Sequence, residues 1–463
     1  MENQEQSERE TCHVIVLGPD GTDVLVKFTQ SGFVFPLVEI PRWERWADNL
    51  TAAVRRDWGC EAVCLFTPNN SSQVGNPGHR YEVMECWRDE HMRGTDWKPA
   101  YSLAADSFEA EAEFRTLVRC LHELDGYEHD PTSPFAQRGW PARVRGWAAD
   151  AIRPLRLELG LSFRQYNASP SFSLARLETN GPAVWFKAVG EPNLREFPIT
   201  LKLAELFPRF TPEILGKKPE WNAWLSREVE GTNLGEARDI APWKTAATDL
   251  AKLQIESISR TASILNSGAH DLRTDVLLTS VDPFLELVAR LMEGQPKVPP
   301  ATLGRQELSL LKLRIRDSLI LLEDLRIPNT LGHLDLNPWN IVVSANECVF
   351  LDWAEAYVGH PFFSVEYLLQ HLRREIGADS VLQSELVNAY EAPWRQLLSD
   401  NLTSEALAVA PLAAVFAYAA GTGAWKDEAR LRDPKAGEYF RSLARRMNRE
   451  ATRFIERRSA CLS

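Results

Sequence analysis

The stretch LGHLDLNPWNIVVSANECVFLDWAE, residues 331–355, constrains the fold more than any other part of the chain. Its β-branched run and the apolar strand that returns after the Ala-Asn-Glu turn predict a β-hairpin. A hairpin brings its two ends together, so Asn340 and Asp352 are expected to lie close to each other. Asp335 precedes the hairpin, in the loop alongside. The sequence therefore predicts that three polar side chains converge at one end of a short hairpin.

Two carboxylates and one amide oxygen form a site of hard oxygen ligands, which suits Mg²⁺ and a phosphate rather than zinc. A single aspartate here would be an ordinary turn cap. The whole ordered set is different, because it reads His-x-Asp-x-x-x-x-Asn, then a β run, then Asp-Trp-x-Glu. That order matches the arrangement of base and metal ligands in the protein-kinase superfamily.

The details of the loop narrow this resemblance. With Pro338 inside the loop and His360-Pro361 downstream, the chain resembles the aminoglycoside phosphotransferase and choline kinase-like family of small-molecule kinases. That family usually reads HGDxHPGN followed by DWE or DWD. Here Leu334, Asn337 and Trp339 replace a Gly, a His and a Gly. The three chemical positions are kept, whereas the shape of the loop, and with it the acceptor, differs from the family pattern.

The resemblance implies a reaction and a fold. ATP would be the donor, Mg²⁺ the cofactor and the hydroxyl of a small molecule the acceptor. Asp335 would position and deprotonate that hydroxyl, while Asn340 and Asp352 would hold the metal. The expected fold class is α+β, a two-lobed protein-kinase-like fold. Its small β-rich lobe would span about 156–232, and its large, mainly helical lobe would span 233–463.

The predicted small lobe carries a lone lysine, Lys187, in an otherwise apolar strand. Its expected partner is Glu196 in the helix that follows, because such a pair orients the donor phosphates in kinases. Glu205 is the other acidic residue of that helix, but it lies near the end. Ser169 and Ser171 stand where protein kinases place a glycine-rich loop, and they offer hydroxyl and backbone donors to the nucleotide.

Residues 1–125 predict a separate small α/β domain with several strands and two helices. The succession resembles the Nudix fold, and the Nudix box can be laid on residues 38–60. On that register Glu44 and Gly59 match a Glu and a Gly of the box. The metal-binding part ends in Arg56-Asp57 instead of two glutamates, so the resemblance implies a degenerate domain that has lost the hydrolase. An unrelated α/β domain used for packing or regulation is the alternative.

Composition limits the partners and the compartment. A net charge of −12 argues against a sequence-wide affinity for nucleic acid or anionic lipid. Seven scattered cysteines without a C-x-x-C pair indicate reduced thiols. The N-terminus lacks an apolar signal-peptide core, and the apolar run 406–425 is interrupted by Pro411 and two glycines, which predicts a buried helix. The expectation is a soluble cytoplasmic protein without nucleic-acid or membrane partners. Residues 126–155 predict a turn-rich connector followed by a helix.

Three further residues lie near the motif in the sequence: His333, Glu355 and His360. His333 is expected to hold the loop by hydrogen bonds and not to act as the base, whereas Glu355 and His360 could reach the acceptor.

One rival function is a catalytically inactive nucleotide-binding scaffold, which the loop substitutions leave open. The other is a protein kinase, which the lack of Asp-Phe-Gly and of a recognisable activation loop disfavours.

Overall fold

A computed structural model describes residues 9–19, 21–41, 46–69, 79–89, 95–345 and 347–461. The chain divides into two compact units. The first consists of Met1–Phe197 and Glu213–Glu228, and the second of Pro198–Pro212 and Val229–Ser463.

Seven strands and two helices form the first part of the first unit: β1 (Arg9–Leu17), β2 (Asp23–Phe28), β3 (Phe33–Val34), β4 (Leu37–Pro41), β5 (Cys60–Phe66), β6 (His79–Asp89), β7 (Thr95–Pro99), α1 (Trp46–Trp58) and α2 (Glu111–Tyr127). The sheet is mixed and follows the order β3-β2-β1-β6-β5, with β4 paired to β1 and β7 paired to β2. β1 and β6 run parallel, and the other pairs are antiparallel.

Helix α1 ends as its sequence predicts, because Gly59 follows it with φ +67°, a left-handed conformation that glycine adopts without steric cost. At the end of this helix Arg56 and Asp57 pair with each other at 2.7 Å. Glu44 lies outside the described residues. The Nudix-like resemblance therefore stays a prediction, and β4 and β7 are strands that the sequence did not indicate.

The second part of the first unit is an antiparallel sheet with one helix before it: α3 (Trp140–Ile152), β8 (Leu159–Ser169), β9 (Phe172–Thr179), β10 (Val184–Ala188), β11 (Ile214–Lys218) and β12 (Ala223–Arg227). The order is β11-β12-β10-β9-β8. Side chains along β9 alternate between buried and half-buried, as expected of a strand with one face in the core.

The two sheets of the first unit share one hydrophobic core. Phe135 lies at its centre, with ring centroids 5.4 Å from Trp140 of α3 and 5.7 Å from Phe186 of β10. Leu117 of α2 and Val83 of β6 are buried in the same cluster. The N-terminal sheet therefore packs as an integral part of the unit that contains most of the predicted small lobe.

A buried glutamine joins the two parts of this unit. The Oε1 atom of Gln165, in β8, accepts a hydrogen bond from the Cys64 N–H at 2.8 Å, and its Nε2 donates to the Cys64 carbonyl at 3.3 Å. Both residues are 1% exposed. Next to it, Arg164 forms two hydrogen bonds to Asp48 of α1, at 2.6 and 2.8 Å, but the Arg164 side chain is 57% exposed.

We expect Gln165→Ala to lower the free energy of unfolding of the first unit by about 1–3 kcal/mol, because it leaves buried backbone groups of Cys64 without partners. Arg164→Ala is the matched control and is expected to cost less than about 1 kcal/mol, since an exposed ion pair contributes little. Urea unfolding followed by tryptophan fluorescence measures both. Equal losses for the two variants would show that the glutamine does not join the two parts.

The helices of the second unit follow in the order α4 (Glu196–Leu206), α5 (Ile240–Ser257), α6 (Thr261–Asn266), α7 (Thr274–Glu293), α8 (Arg305–Asp324), α9 (Phe362–Glu375), α10 (Ser380–Trp394), α11 (Asp400–Ala420), α12 (Glu428–Leu431) and α13 (Pro434–Cys461). The first two residues of α4 belong to the first unit. Phe284 of α7 contacts Phe416 of α11 and Phe440 of α13, with ring centroids 5.7 and 6.2 Å apart. These contacts tie three helices into one core.

Helix α11 is long and apolar enough to cross a membrane by length and composition, with a mean hydropathy of 1.5 over an 18-residue window. In the protein 67% of that window is buried. Thus α11 is a core helix, as its Ala-rich sequence predicts.

Two three-stranded sheets position the loop 334–340 and the hairpin. The first contains β13 (Thr232–Asn233), β16 (Ile341–Val343) and β17 (Cys348–Phe350), and the second contains β14 (His270–Leu272), β15 (Thr330–His333) and β18 (Ala356–Gly359). Their orders are β13-β16-β17 and β14-β18-β15. β15 runs antiparallel to β18, whereas β14 runs parallel to it. The end of β15 and the starts of β14 and β18 consequently share one edge.

Candidate active site

His333 ends β15 and holds the loop that carries Asp335. Its Nδ1 accepts the Asp335 N–H at 3.1 Å, and its Nε2 lies 3.1 Å from the Leu351 carbonyl. Since Nδ1 accepts, Nε2 carries the proton and donates to Leu351. Burial lowers the pKa of His333, and the Leu351 hydrogen bond and the carboxylates of Asp335 and Asp352 only partly oppose this. A neutral histidine therefore braces the loop against the hairpin, which is the positioning role expected from the sequence.

Asn340 lies against Asp335. Its Nδ2 donates to the Asp335 backbone carbonyl at 3.1 Å and to the carboxylate Oδ2 at 3.3 Å. A short turn fixes this arrangement, because Asn337 accepts the N–H groups of Trp339 on its side chain and of Asn340 on its carbonyl. With Nδ2 occupied in this way, the Oδ1 atom of Asn340 is the side-chain atom with lone pairs to offer a cation.

The hairpin brings Asp352 to the same end as Asn340. Ile341 pairs with Phe350 in the ladder, and the Leu351 N–H donates to the Asn340 carbonyl at 2.8 Å, so Asp352 follows immediately. Asp352 is exposed and has φ +61° and ψ +64°. A left-handed backbone is strained for a residue other than glycine, and such strain tends to occur at functional sites.

The oxygen atoms of Asp335, Asn340 and Asp352 suit a hard cation only when oxygens of a bound ligand or of water complete its coordination. Among the residues that the structure describes, no three His, Cys, Asp or Glu side chains gather closely enough to hold a metal ion by themselves. Two carboxylates and one amide oxygen leave half of the six positions of an octahedral Mg²⁺ to water and phosphate oxygens, and Mg²⁺ commonly keeps such ligands when it binds to proteins. The chemistry of these residues thus fits Mg²⁺ that arrives together with a nucleotide.

Lys187 and Glu196 form an ion pair in the first unit. Lys187 lies on β10 between Leu174 and Trp224 of the neighbouring strands, and its Nζ is 2.5 Å from a carboxylate oxygen of Glu196. The Glu196 side chain is 2% exposed and the Lys187 side chain 14%. A buried carboxylate fixes the position of the ammonium. Glu205, the other acidic residue of α4, pairs instead with Lys202 at the surface.

The turn with Ser169 and Ser171 is shorter than the sequence suggested. Ser169 pairs with Phe172 as the last residue of β8, so only Pro170 and Ser171 remain between the strands. The Pro170 carbonyl accepts the Phe135 N–H at 3.0 Å. Ser171 packs so closely on Gly190 that a Cβ at that glycine would lie 2.3 Å from its hydroxyl oxygen. The structure thus places the two serines at one tight turn next to a glycine.

Glu355 and His270 add a pair that sequence reasoning missed. The Leu334 N–H donates to the Glu355 carbonyl at 3.0 Å, which places Glu355 beside the loop of Asp335. Its Oε2 lies 3.3 Å from Nε2 of His270. No local sequence signal could indicate this pair, because it forms only when β14 joins β18.

His360 does not reach the surface of the site. It is 2% exposed, its Nδ1 accepts the Phe362 N–H at 3.4 Å, and burial lowers its pKa to about 3. A neutral, enclosed imidazole at the start of α9 is a packing residue, so the suggestion that His360 contacts the acceptor was wrong.

Residues 270–399 match the model of the phosphotransferase enzyme family, APH. No curated protein sequence matches the chain. Solved structures with a similar fold include macrolide 2'-phosphotransferase MphH from Brachybacterium faecium, with 15% identity, a TM-score of 0.42, and coverage of 65% of this chain and 98% of that one. Choline kinase LicA from Streptococcus pneumoniae has 14% identity and a TM-score of 0.42, and the match covers 66% of this chain and 99% of that one. Choline kinase from Cryptosporidium parvum has 12% identity and a TM-score of 0.45, and the match covers 70% of this chain and 96% of that one.

The matched segment contains Asp335, Asn340 and Asp352 together with His270 and Glu355. The predicted α+β fold class, with a sheet-rich part and a mainly helical part, is confirmed. Residues 270–399 are therefore similar in sequence to the phosphotransferase enzyme family, APH.

Proposed function

We propose that this chain is an ATP- and Mg²⁺-dependent kinase that transfers the γ-phosphoryl group to a hydroxyl of a small molecule. The observation that supports this most directly is the contact between Asn340 and Asp335, with Asp352 following at the closed end of the same hairpin. A predicted base and two predicted metal ligands therefore belong to one continuous loop and hairpin.

Asp335 would accept the proton of the acceptor hydroxyl. The acceptor oxygen then forms a bond to the γ-phosphorus, and the bond between that phosphorus and the β,γ-bridging oxygen breaks with its electron pair left on ADP. Asp335 is exposed and its backbone is fixed from both sides, by His333 and by Asn340. The chain thus holds this carboxylate in place before a substrate arrives, which is how positioned groups contribute to rate.

The proposal assigns separate residues to the metal and to the phosphates of the donor. Asn340 and Asp352 would bind Mg²⁺, which supplies charge neutralisation at the phosphates when bound. Lys187, fixed by Glu196, would contact the donor phosphates, and the turn of Ser169 and Ser171 would contribute hydroxyl or backbone donors. A lysine whose ammonium already has a buried partner loses little freedom when it binds a phosphate.

The chain after the hairpin disfavours a protein kinase. β18 begins at Ala356, directly after Glu355, and α9 begins at Phe362. This connection is too short for a segment that would bind a peptide and be ordered by phosphorylation. A small molecule is therefore the better acceptor.

A screen of hydroxyl acceptors with ATP, read out by ADP release, tests the proposal. We expect ADP release to depend on one class of acceptor, to stop when EDTA removes Mg²⁺, and to resume with Mg²⁺ but not with Zn²⁺, because the ligands are hard oxygens. Asp335→Asn is the matched inactive control. Binding of Mg·ATP without ADP release, for sugars, amino alcohols, aminoglycosides, phosphorylated alcohols and hydroxy acids alike, would contradict the proposal and favour the scaffold.

A further inference from the structure

The proposed reaction gives no role to Trp339, although this residue lies in the loop 334–340 directly before the predicted metal ligand Asn340. Trp339 is 49% exposed, and the inner side of its ring packs against Gly235. Both residues belong to the second unit. Trp339 therefore connects the loop of Asp335 with a segment that lies much earlier in the chain.

The segment that contains Gly235 runs beside the loop and the hairpin. Strand β13 pairs antiparallel with β16, and Asn233 lies opposite Val342. The turn that follows β13 packs on the turn that precedes β16, and these two turns contain Gly235 and Trp339. The strand pairing therefore places Gly235 beside Trp339.

Gly235 faces the plane of the indole. A Cβ at this position would lie 2.7 Å from Cε2, 2.9 Å from Cδ2 and 3.0 Å from Nε1 of Trp339. Cε2 and Cδ2 are shared by the two rings, and such atoms are nearest only to a neighbour that lies above the ring plane. The backbone of Gly235 lies outside the left-handed region. It is therefore the indole, and not the backbone conformation, that requires a glycine here.

The backbone of Trp339 is part of the turn that fixes Asp335 and Asn340. Its N–H donates to Oδ1 of Asn337 at 3.0 Å, and the Asn340 N–H donates to the Asn337 carbonyl at 2.8 Å. The Asn340 side chain in turn donates to the Asp335 carbonyl and carboxylate, in exposed hydrogen bonds. Water competes with such hydrogen bonds, so each contributes little by itself. The indole packed on Gly235 adds an apolar contact to this turn.

We propose that Trp339 is a positioning residue for the transfer: its indole, packed on Gly235, holds the turn in the shape in which Asn340 meets Mg²⁺ and Asp335 meets the acceptor hydroxyl. This inference rests on the proposed kinase function. Trp339 does not have to touch a substrate for this role, because it acts through the backbone that it shares with Asn340. Since small displacements of reacting groups cost much rate, a ring that fixes the turn contributes to kcat.

Steady-state kinetics of Trp339 variants with the best acceptor test this role. We expect Trp339→Ala to lower kcat about 10- to 100-fold. It should also raise the Mg²⁺ concentration that gives half the maximal rate about 10- to 100-fold, the usual cost of losing a group that orients a metal ligand. Trp339→Phe, whose ring can still cover Gly235, should recover most of both losses. Leu313→Ala removes another exposed apolar side chain of the second unit and should keep the wild-type values.

Gly235→Ala tests the contact from its other side. It should lower kcat as well, since the new Cβ displaces the indole. In a Trp339→Ala background the same methyl group no longer meets the ring, so the double variant should be no worse than Trp339→Ala alone, as expected of residues in contact. Losses that multiply in the double variant, or a Gly235→Ala protein with wild-type kcat, would overturn the proposal.

Hydrogen exchange without Mg²⁺ or nucleotide separates this proposal from the kinase proposal. Mass spectrometry of a peptide covering 334–343 should show exchange about 10-fold faster or more in Trp339→Ala and Gly235→Ala, because the turn opens more often, while Leu313→Ala should match wild type. Faster exchange supports the positioning role even if wild type phosphorylates no acceptor, in which case only the kinase proposal fails. Unchanged exchange, or faster exchange with wild-type kcat and Mg²⁺ dependence, overturns the positioning role and leaves the kinase proposal intact.

Discussion

Asp335→Asn is expected to lower kcat for phosphoryl transfer by about 10²- to 10⁴-fold, the usual contribution of a positioned proton acceptor. The loop should keep its shape, because the hydrogen bonds that fix it use backbone atoms of Asp335: its N–H donates to His333 and its carbonyl accepts from Asn340. The amide is close to the carboxylate in size and can still accept the second bond from Asn340. What it cannot do is take up the proton of the acceptor.

This prediction is checked by ADP release with the best acceptor, together with the dissociation constant of Mg·ATP. We expect the dissociation constant to stay within a few-fold of wild type while kcat falls. Glu347→Gln is the matched control, because Glu347 also belongs to the hairpin segment but pairs with Arg209 at 3.7 Å, and its removal should leave kcat unchanged. If Asp335→Asn retained wild-type turnover, Asp335 would not be the base.

The proximity of the three polar residues could be predicted from the sequence because it depends on local structure. Asp335, Asn340 and Asp352 lie in one loop and one hairpin, and the geometry of a hairpin alone brings the last two together. The ion pair of Lys187 with Glu196 was predictable for a similar reason, since a strand and the next helix are neighbours along the chain. The mainly helical character of residues 233–463 was expected from the family resemblance, and the buried helix α11 from its interrupted apolar run.

Other features depend on contacts that no local pattern contains. β4 and β7 are short strands with polar and proline residues, and they form because neighbouring strands offer hydrogen-bonding partners. The pairing of His270 with Glu355 requires β14 to join β18.

The backbone of Asp352 is the feature that the sequence could least reveal, and it allows a sharp test of metal binding. At φ +61°, Asp352→Ala should cost about 1–2 kcal/mol of stability, because alanine gains nothing from a left-handed backbone. Asp352→Asn should keep the stability, since asparagine tolerates this conformation. Both variants lose the negative charge, so kcat/KM for Mg·ATP should fall by about 10²- to 10³-fold in each, as when one preorganised electrostatic contact is removed.

The comparison of stability with activity separates a structural role for Asp352 from a metal-binding one. Calorimetry should show that ADP binds more tightly to wild type with Mg²⁺ than without it, and that Asp352→Asn has lost most of this difference. Asp352→Gly, which removes the backbone strain altogether, should be at least as stable as wild type and equally inactive. A stable Asp352→Asn protein that keeps the Mg²⁺ effect and its activity would mean that this aspartate only shapes the turn, and the proposed metal site would then lack its main anionic ligand.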